Sequence, residues 1–369
     1  MEFQWNIQSF KEFYDVTKQK KLIVYGGSFN AMRFINRYLS DVKIEYICDS
    51  SEQKQGQRLF GIPIEAPDKL KSENPGKTVV LVASSFYDEI IKGIMRIGNF
   101  TCFISNALEA QSAPRGAGFA NNLDKVNSVM PLFADDRSRY VLSEIIKRAM
   151  LGDGNLTDLK EPYPQYLANE LFASSPPCKE EIIINGGACW GGSLRRFVDF
   201  FGEKLKKAYC FEPCLELVEK LQSAASKITG IDIVIEPVGL SDENSRATFH
   251  FLPENPRASF VNGKGKISVN TAGAASRIVD LKKLDDIIPS NEKITFIKMD
   301  VEGSEYQALL GAKRIIQKDK PRLAICIYHN PEDFFQIPLL INSMVPEYKM
   351  YARHHHRGFN ETTLYAVCD

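Results

Sequence analysis

The 369-residue chain holds 46 basic and 46 acidic residues, so its formal net charge is zero, and 44% of it is hydrophobic. That length suits two domains with ample core, and the balance of charge removes any general electrostatic case for nucleic acid or an anionic membrane surface. No apolar run approaches the roughly 18 residues needed to span a bilayer.

The first stretch, MEFQWNIQSFKEFYDVTKQKK, carries acids and aromatics where a signal peptide carries a basic start and an apolar core. No export signal is expected, and the protein is expected to be cytoplasmic. Eight cysteines (Cys48, Cys102, Cys178, Cys189, Cys210, Cys214, Cys326 and Cys368) are scattered with no CxxC pair. They read as reduced, mostly buried thiols; Cys210 and Cys214 lie four apart, but no second pair follows at zinc spacing.

Lys20 to Leu39, KKLIVYGGSFNAMRFINRYL, is an apolar strand, a glycine turn and an amphipathic helix, and Val42 to Ser51 is a second strand ending in an acid, Asp49. Gly61 to Leu70 supplies a turn and a helix start, and Thr78 to Gly98 another strand with its helix. This alternation predicts a small Rossmann-like α/β domain over residues 1–112. VYGGSFNA with Asp49 echoes a dinucleotide fingerprint, but Ser28 and Ala31 stand where glycines are expected. A structural or oligomerising role, with a homo-oligomer formed through this domain, is set against nucleotide binding. Residues 113–172 are expected to be a linker and connecting helical segment, with helical spacing over Asp135 to Leu151.

A second α/β series begins at Glu180, and residues 173–369 are expected to form the larger domain. Its strand-like pieces are IIIN before Gly186, Lys206 to Pro213, Ile231 to Asp242, Ala247 to Pro253, Ile294 to Met299 and Arg322 to His329. Tyr348 to His356 and Glu361 to Asp369 follow, separated only by RGFN. So short a turn requires an antiparallel pair, so the fold expected is a mostly parallel sheet closed by an antiparallel C-terminal hairpin.

In IIINGGACWGGS (Ile182 to Ser193) a buried strand gives way to glycines that let the backbone turn and approach a ligand before a helix opens. Alone, this equally describes a tight turn with no ligand. The next strand ends in CFEP, placing Glu212 where dinucleotide and adenosyl ligands need a carboxylate for the ribose hydroxyls. The spacing of the glycines fits a nicotinamide GxGxxG pattern poorly.

The segment INGGACWGG, with FEP, VGLSD, LKKLDD, IKMDVEGSEYQALLGA, YHNPED and RHHHRGFNETTLYA, resembles the FkbM-type methyltransferases over about residues 160 to 369. The resemblance implies a Rossmann-like methyltransferase domain that uses S-adenosyl-L-methionine to methylate a hydroxyl of a sugar, glycan or small natural product. It implies that Asn185, Gly187, Ala188 and Gly191 lie beside the cofactor, with Glu212 on its ribose, and that Val238 and Gly239 lie near the adenine with Asp242 behind them. Two departures stand out: Asn185 occupies a position usually held by Asp, and Cys189 and Trp190 replace a more usual Asn or Tyr. The alternatives are a nicotinamide-dependent sugar-modifying enzyme working through Asp49, and a non-catalytic binding protein on a degenerate methyltransferase fold.

Methyl transfer to oxygen requires an aligned nucleophile and a group to take its proton. Asp300 is the first candidate for that base or for orienting the hydroxyl, Glu302 the second, and His329 at the end of the next strand a third. Asp300 and Glu305 could instead serve the following helix, Asp300 or Ser304 as its cap. Asp300, Glu302 and His329 are also types that bind divalent ions, which spacing alone leaves open. For the acceptor, the candidates are Ser259 and Asn262 in the long polar stretch Pro253 to Ser276, and His354 and His356, which share one strand face.

Overall fold

The computed structural model describes residues 10–27, 31, 34–35, 39, 42–84, 86–105, 108, 114–151, 153, 155–252, 255–261 and 275–368. The chain divides into two units, Met1–Asn121 with Ile146–Gly154, and Asn122–Ile145 with Asn155–Asp369.

The first unit holds a six-stranded sheet. Its strands are β1 (Lys21–Tyr25), β2 (Ile44–Cys48), β3 (Arg58–Leu59), β4 (Ile62–Glu65), β5 (Thr78–Val82) and β6 (Thr101–Ile104), in the order β3-β4-β2-β1-β5-β6. All neighbours are parallel except β3 and β4. β5 is buried at every position, as a run of apolar residues covered on both faces should be. Gly61 to Leu70, read as a turn and helix start, contributes the strand β4 before a short 3-10 helix at Pro67–Ser72.

The second unit is built on β7 (Glu181–Gly186), β8 (Leu205–Phe211), β9 (Asp232–Glu236), β14 (Phe296–Met299), β15 (Arg322–Cys326), β16 (Lys349–His354) and β17 (Thr362–Val367). Their order is β16-β17-β15-β14-β7-β8-β9, parallel throughout except that β17 runs antiparallel to both its neighbours. This is the mostly parallel sheet with an antiparallel hairpin, a Rossmann-like methyltransferase arrangement. The helix Gly192–Phe201 buries Ser193, Leu194, Phe197 and Phe201, one stripe of its surface, and Phe197 meets Phe296 of β14 edge to face at 5.4 Å between ring centres.

A four-stranded sheet stands apart from the main one, in the order β10-β13-β11-β12 with β10 Gly239–Leu240, β11 Ser245–Leu252, β12 Asn255–Val261 and β13 Ala275–Lys282. Two expectations change here. Ile231 to Asp242 is not one strand: the chain leaves the main sheet at Pro237, which has no amide hydrogen to continue a ladder, and Gly239–Leu240 pairs instead with β13. The described part of the strand expected from Ala247 onward, through Leu252, lies in β11 and joins this second sheet antiparallel to β13, not the parallel series. No helix among the described residues is long and apolar enough to cross a membrane.

Candidate active site

A cavity of about 350 Å³ lies at the carboxyl ends of β7, β8 and β14 in the second unit. It falls in the size range of small-molecule sites, at the edge of the sheet where open α/β folds bind ligands. Gly187, Ala188, Glu212, Val238, Gly239, Asp300 and Glu302 all line it.

The glycine loop is shaped by its contacts with β14. Gly187 has a φ of +69°, and a Cβ there would lie 1.8 Å from the carbonyl oxygen of Asp300. Only glycine lets the two backbones meet so closely. Lys298, almost fully buried in the middle of β14, donates to the carbonyl oxygens of Gly186 at 2.9 Å and Gly187 at 2.7 Å. Its ammonium also lies 5.1 Å from the ring centre of Tyr166. A buried cation must find acceptors, and here the acceptors are the loop itself.

Glu212 is held from two sides. The amide of Cys189 donates to Oε2 and that of Cys214 to Oε1, both at 2.9 Å. Burial raises its carboxyl to about 7, against the pull of those amides and of Lys298. Each oxygen keeps a further lone pair for a donor entering the cavity.

Asp300 sits at the other end. It accepts from the hydroxyl of Tyr166 at 2.7 Å on Oδ2 and from that of Tyr328 at 3.0 Å on Oδ1. Burial would raise its carboxyl, but Lys298, His329 and the tyrosine hydrogen bond outweigh it and hold it below the usual range. Glu302 is different: burial raises it, more than the neighbouring His329 lowers it. Glu302 has a φ of +55°, strained for a residue with a side chain.

His329 is enclosed by acids. Its Nδ1 lies 3.0 Å from Glu305 Oε1, and its Nε2 lies 3.4 Å from Glu302 Oε2 and 3.6 Å from Asp300 Oδ1. Neither nitrogen meets hydrogen-bond geometry, so these contacts act as attraction between charges. Burial alone would discharge the ring; Glu305 and Glu302 overcome that and hold it protonated well above the ordinary histidine range. Glu305 is buried and accepts from the amides of Val301 at 2.7 Å and Gly303 at 3.0 Å, so it clamps the turn before its helix, while Ser304 makes no side-chain cap. Ligand atoms of Asp300, Glu305 and His329 lie within 4.8 Å of one another, a set that could hold a metal ion. The acids of that set are already engaged by tyrosines and turn amides.

Other expected residues fall elsewhere. Asn185 is fully buried off the cavity, accepting from the hydroxyl of Ser193 at 3.1 Å and so tying β7 to the following helix. Gly191, in the left-handed region, caps that helix. Asp242 is exposed and accepts from Ser241 at 3.0 Å. His354 is buried, with Nδ1 2.9 Å from the hydroxyl of Thr362, and His356 accepts from the amide of Gly358 within its own turn. Ser259 has its backbone on β12, opposite Phe251, and Asn262 lies outside the described residues. In the first unit, Asp49 accepts from the amides of Gly27 at 2.7 Å and Ser51 at 2.8 Å and pairs with Lys54 at 3.1 Å. That carboxylate is engaged by its own loop.

Tyr166, Lys298, Tyr328 and Glu361 line the cavity without having been singled out from the sequence. Lys298 did carry a signal, as a lysine inside an otherwise apolar strand.

Residues 186–360 match the methyltransferase FkbM domain family, and residues 8–102 match the C-methyltransferase C-terminal domain family. The crystal structure of an FkbM methyltransferase from Methylobacillus flagellatus KT is similar over 96% of this chain and 93% of its own, at a TM-score of 0.55 and 22% identity, a likeness of fold. An rRNA methylase from Streptococcus thermophilus is similar over 54% of this chain and 93% of its own, at a TM-score of 0.34 and 13% identity. Aeropyrum pernix fibrillarin, solved with natively bound S-adenosyl-L-methionine, is similar over 52% and 68%, at 0.31 and 14%. Neither of these two is close enough to bear on the site. No curated protein matches the chain significantly. Residues 186–360, a little under half of the chain, are thus similar to the methyltransferase FkbM domain family.

Proposed function

We propose that the protein is an S-adenosyl-L-methionine-dependent O-methyltransferase acting on a hydroxyl of a sugar, glycan or small natural product. One observation supports this above the others: a single cavity has a buried carboxylate, Glu212, on the strand beside the glycine loop and a second acidic group, Asp300 and Glu302 beside His329, at the tip of β14. The cofactor fits the residues present, because Glu212 offers lone pairs to ribose hydroxyls and the cavity is of ligand size. When bound, S-adenosyl-L-methionine supplies an electrophilic methyl group.

The protein's share is to place and deprotonate the acceptor hydroxyl. Asp300 is fixed by Tyr166 and Tyr328 and held as a carboxylate, which makes it a weak base and a firm acceptor that orients a hydroxyl hydrogen. Glu302, raised by burial and 38% exposed, is better matched to removing the proton as the new bond forms. His329 is charged and does not serve as the base; it holds the two acids in place and steadies their negative charge.

The test is calorimetric titration of the protein with S-adenosyl-L-methionine, followed by transfer of isotopically labelled methyl to a panel of sugars, with the product bond identified by NMR. Binding and a labelled methoxy product are expected. Absence of binding, or label found on carbon, overturns the reading.

A further inference from the structure

A second cavity, of about 470 Å³, lies beside the first and shares Gln165, Arg196 and Glu361 with it. Lys160, Glu161, Tyr163 and His355 are among the rest of its lining. The middle histidine of the HHH run therefore faces a cavity, while His354 is buried.

The charges lining this cavity do not cancel. Glu161 is paired with Arg137 at 2.9 Å, a residue outside the lining, so its charge is compensated from behind. Burial, then the neighbouring Asp300, raises the carboxyl of Glu361, against the pull of His356, Arg196 and Lys298. Lys160 and Arg196 are exposed, and neither side chain makes a hydrogen bond or ion pair with a described residue. Among the described residues Lys160 is left without a close charged partner, while Arg196 acts on the Glu361 carboxyl through its charge alone. The walls are aromatic: Tyr163 meets His355 edge to face at 5.7 Å between ring centres, and His355 is steadied by Nε2 lying 2.8 Å from the Tyr365 hydroxyl. Such a pair offers an apolar surface to the C–H face of a sugar ring. Glu361 stands at the junction, lining both cavities, with a strained backbone φ of +66°.

We propose that this second cavity is the acceptor site and that it takes a hydroxylated ring bearing a phosphate or carboxylate, the anion held by Lys160 and Arg196 and the ring laid against Tyr163 and His355. Arg196 and Glu361 then form the passage through which the acceptor hydroxyl reaches Asp300 and Glu302. This rests on the methyltransferase reading and adds the charge of the acceptor to it.

The experiment titrates the protein with glucose 1-phosphate, glucuronate and glucose by calorimetry, for the wild type, K160Q and the K160Q/R196Q double variant. The substituted side chains are exposed, and an unchanged thermal midpoint establishes that each variant is folded. At least one charged probe is expected to bind about tenfold or more tighter than glucose, with most of that preference lost in K160Q and all of it in the double variant. The two charged probes separate phosphate from carboxylate. Equal affinities for all three probes, no binding of any, or a preference that survives the double variant overturns the proposal. Titration with S-adenosyl-L-methionine is run in parallel. If it fails in the wild type while charged sugars bind, the methyltransferase reading falls and the anion site stands; the reverse result removes only the anion site.

Discussion

Tyr166 and Asp300, 134 positions apart in the chain, meet through a 2.7 Å hydrogen bond from the phenol to Oδ2. The bond fixes the carboxylate at the edge of the cavity, and Tyr328 secures the other oxygen at 3.0 Å. Removing either phenol frees the carboxylate to rotate and weakens its hold on charge. The Y166F variant is expected to lose about 10- to 100-fold in kcat, the scale of a hydrogen bond to a charged group, with donor affinity little changed. Steady-state kinetics beside calorimetry checks this; an unchanged kcat would show that Asp300 takes no part in orienting the acceptor.

Why Tyr166 escaped the sequence is a matter of distance. It falls in a segment read as a linker, and nothing local marks a tyrosine whose partner is 134 residues away. Asp300, Glu302 and Glu212 could be read because they follow apolar strands directly, and strand tips in this architecture share one edge. Asn185, placed beside the cofactor by the family resemblance, also ends a strand, but its side chain accepts from Ser193 of the following helix. The second sheet was hidden because β11 finds its antiparallel partner, β13, across more than twenty residues of polar chain. Alternation predicts a strand and leaves its neighbour unspecified.

Glu302 carries a pH signature. Its carboxyl is raised by burial, with His329 lowering it and Asp300 and Glu305 raising it further. A base works only when ionised, so activity is lost as pH falls through this elevated value and is retained above it. The acid limb of the kcat profile is expected to lie above the ordinary glutamate range. E302Q should remove that limb and reduce kcat by about 10²- to 10⁴-fold, the usual contribution of a general base. A limb that persists unchanged in E302Q assigns the proton transfer to another group.

Cofactor affinity should follow Glu212. Ribose hydroxyls donate to the ionised carboxylate, which burial holds at about 7. Binding is therefore strongest above that value and weakens as pH falls through it. Calorimetry at about pH 8 and about pH 6 reads the difference, and E212Q should abolish it. E212A should weaken binding by about 1 to 3 kcal/mol at the higher pH. Equal affinity at both pH values in the wild type contradicts the placement of the ribose.

The glycine loop is sensitive in a different way. In G187A the new Cβ would fall 1.8 Å from the carbonyl oxygen of Asp300, and the backbone φ of +69° is unfavourable for alanine. The loop must shift, which breaks the two hydrogen bonds of Lys298 to Gly186 and Gly187. Donor affinity and kcat are both expected to fall by more than about tenfold, because one movement displaces the loop and the lysine near Asp300. A variant that keeps wild-type affinity would show that the loop can relax without disturbing the site.

Far from the cavity, Arg322 of β15 and Glu181 of β7 form a buried pair, with Nη2 2.5 Å and 2.6 Å from the two carboxylate oxygens. The arginine side chain is 3% exposed and the glutamate 0%. The arginine also donates to the carbonyl oxygens of Thr295 and Ser175, so little of its charge is left without a partner. Removing one member leaves the other buried and uncompensated. R322M is expected to destabilise the second unit by about 3 to 5 kcal/mol. Replacing both, in R322M/E181L, removes both charges together and should recover much of that loss. Denaturant unfolding of the single and double variants, followed by a probe in the second unit, measures the difference. A double variant no more stable than R322M would mean that the pair contributes through its hydrogen bonds to Thr295 and Ser175 and not through the meeting of its charges.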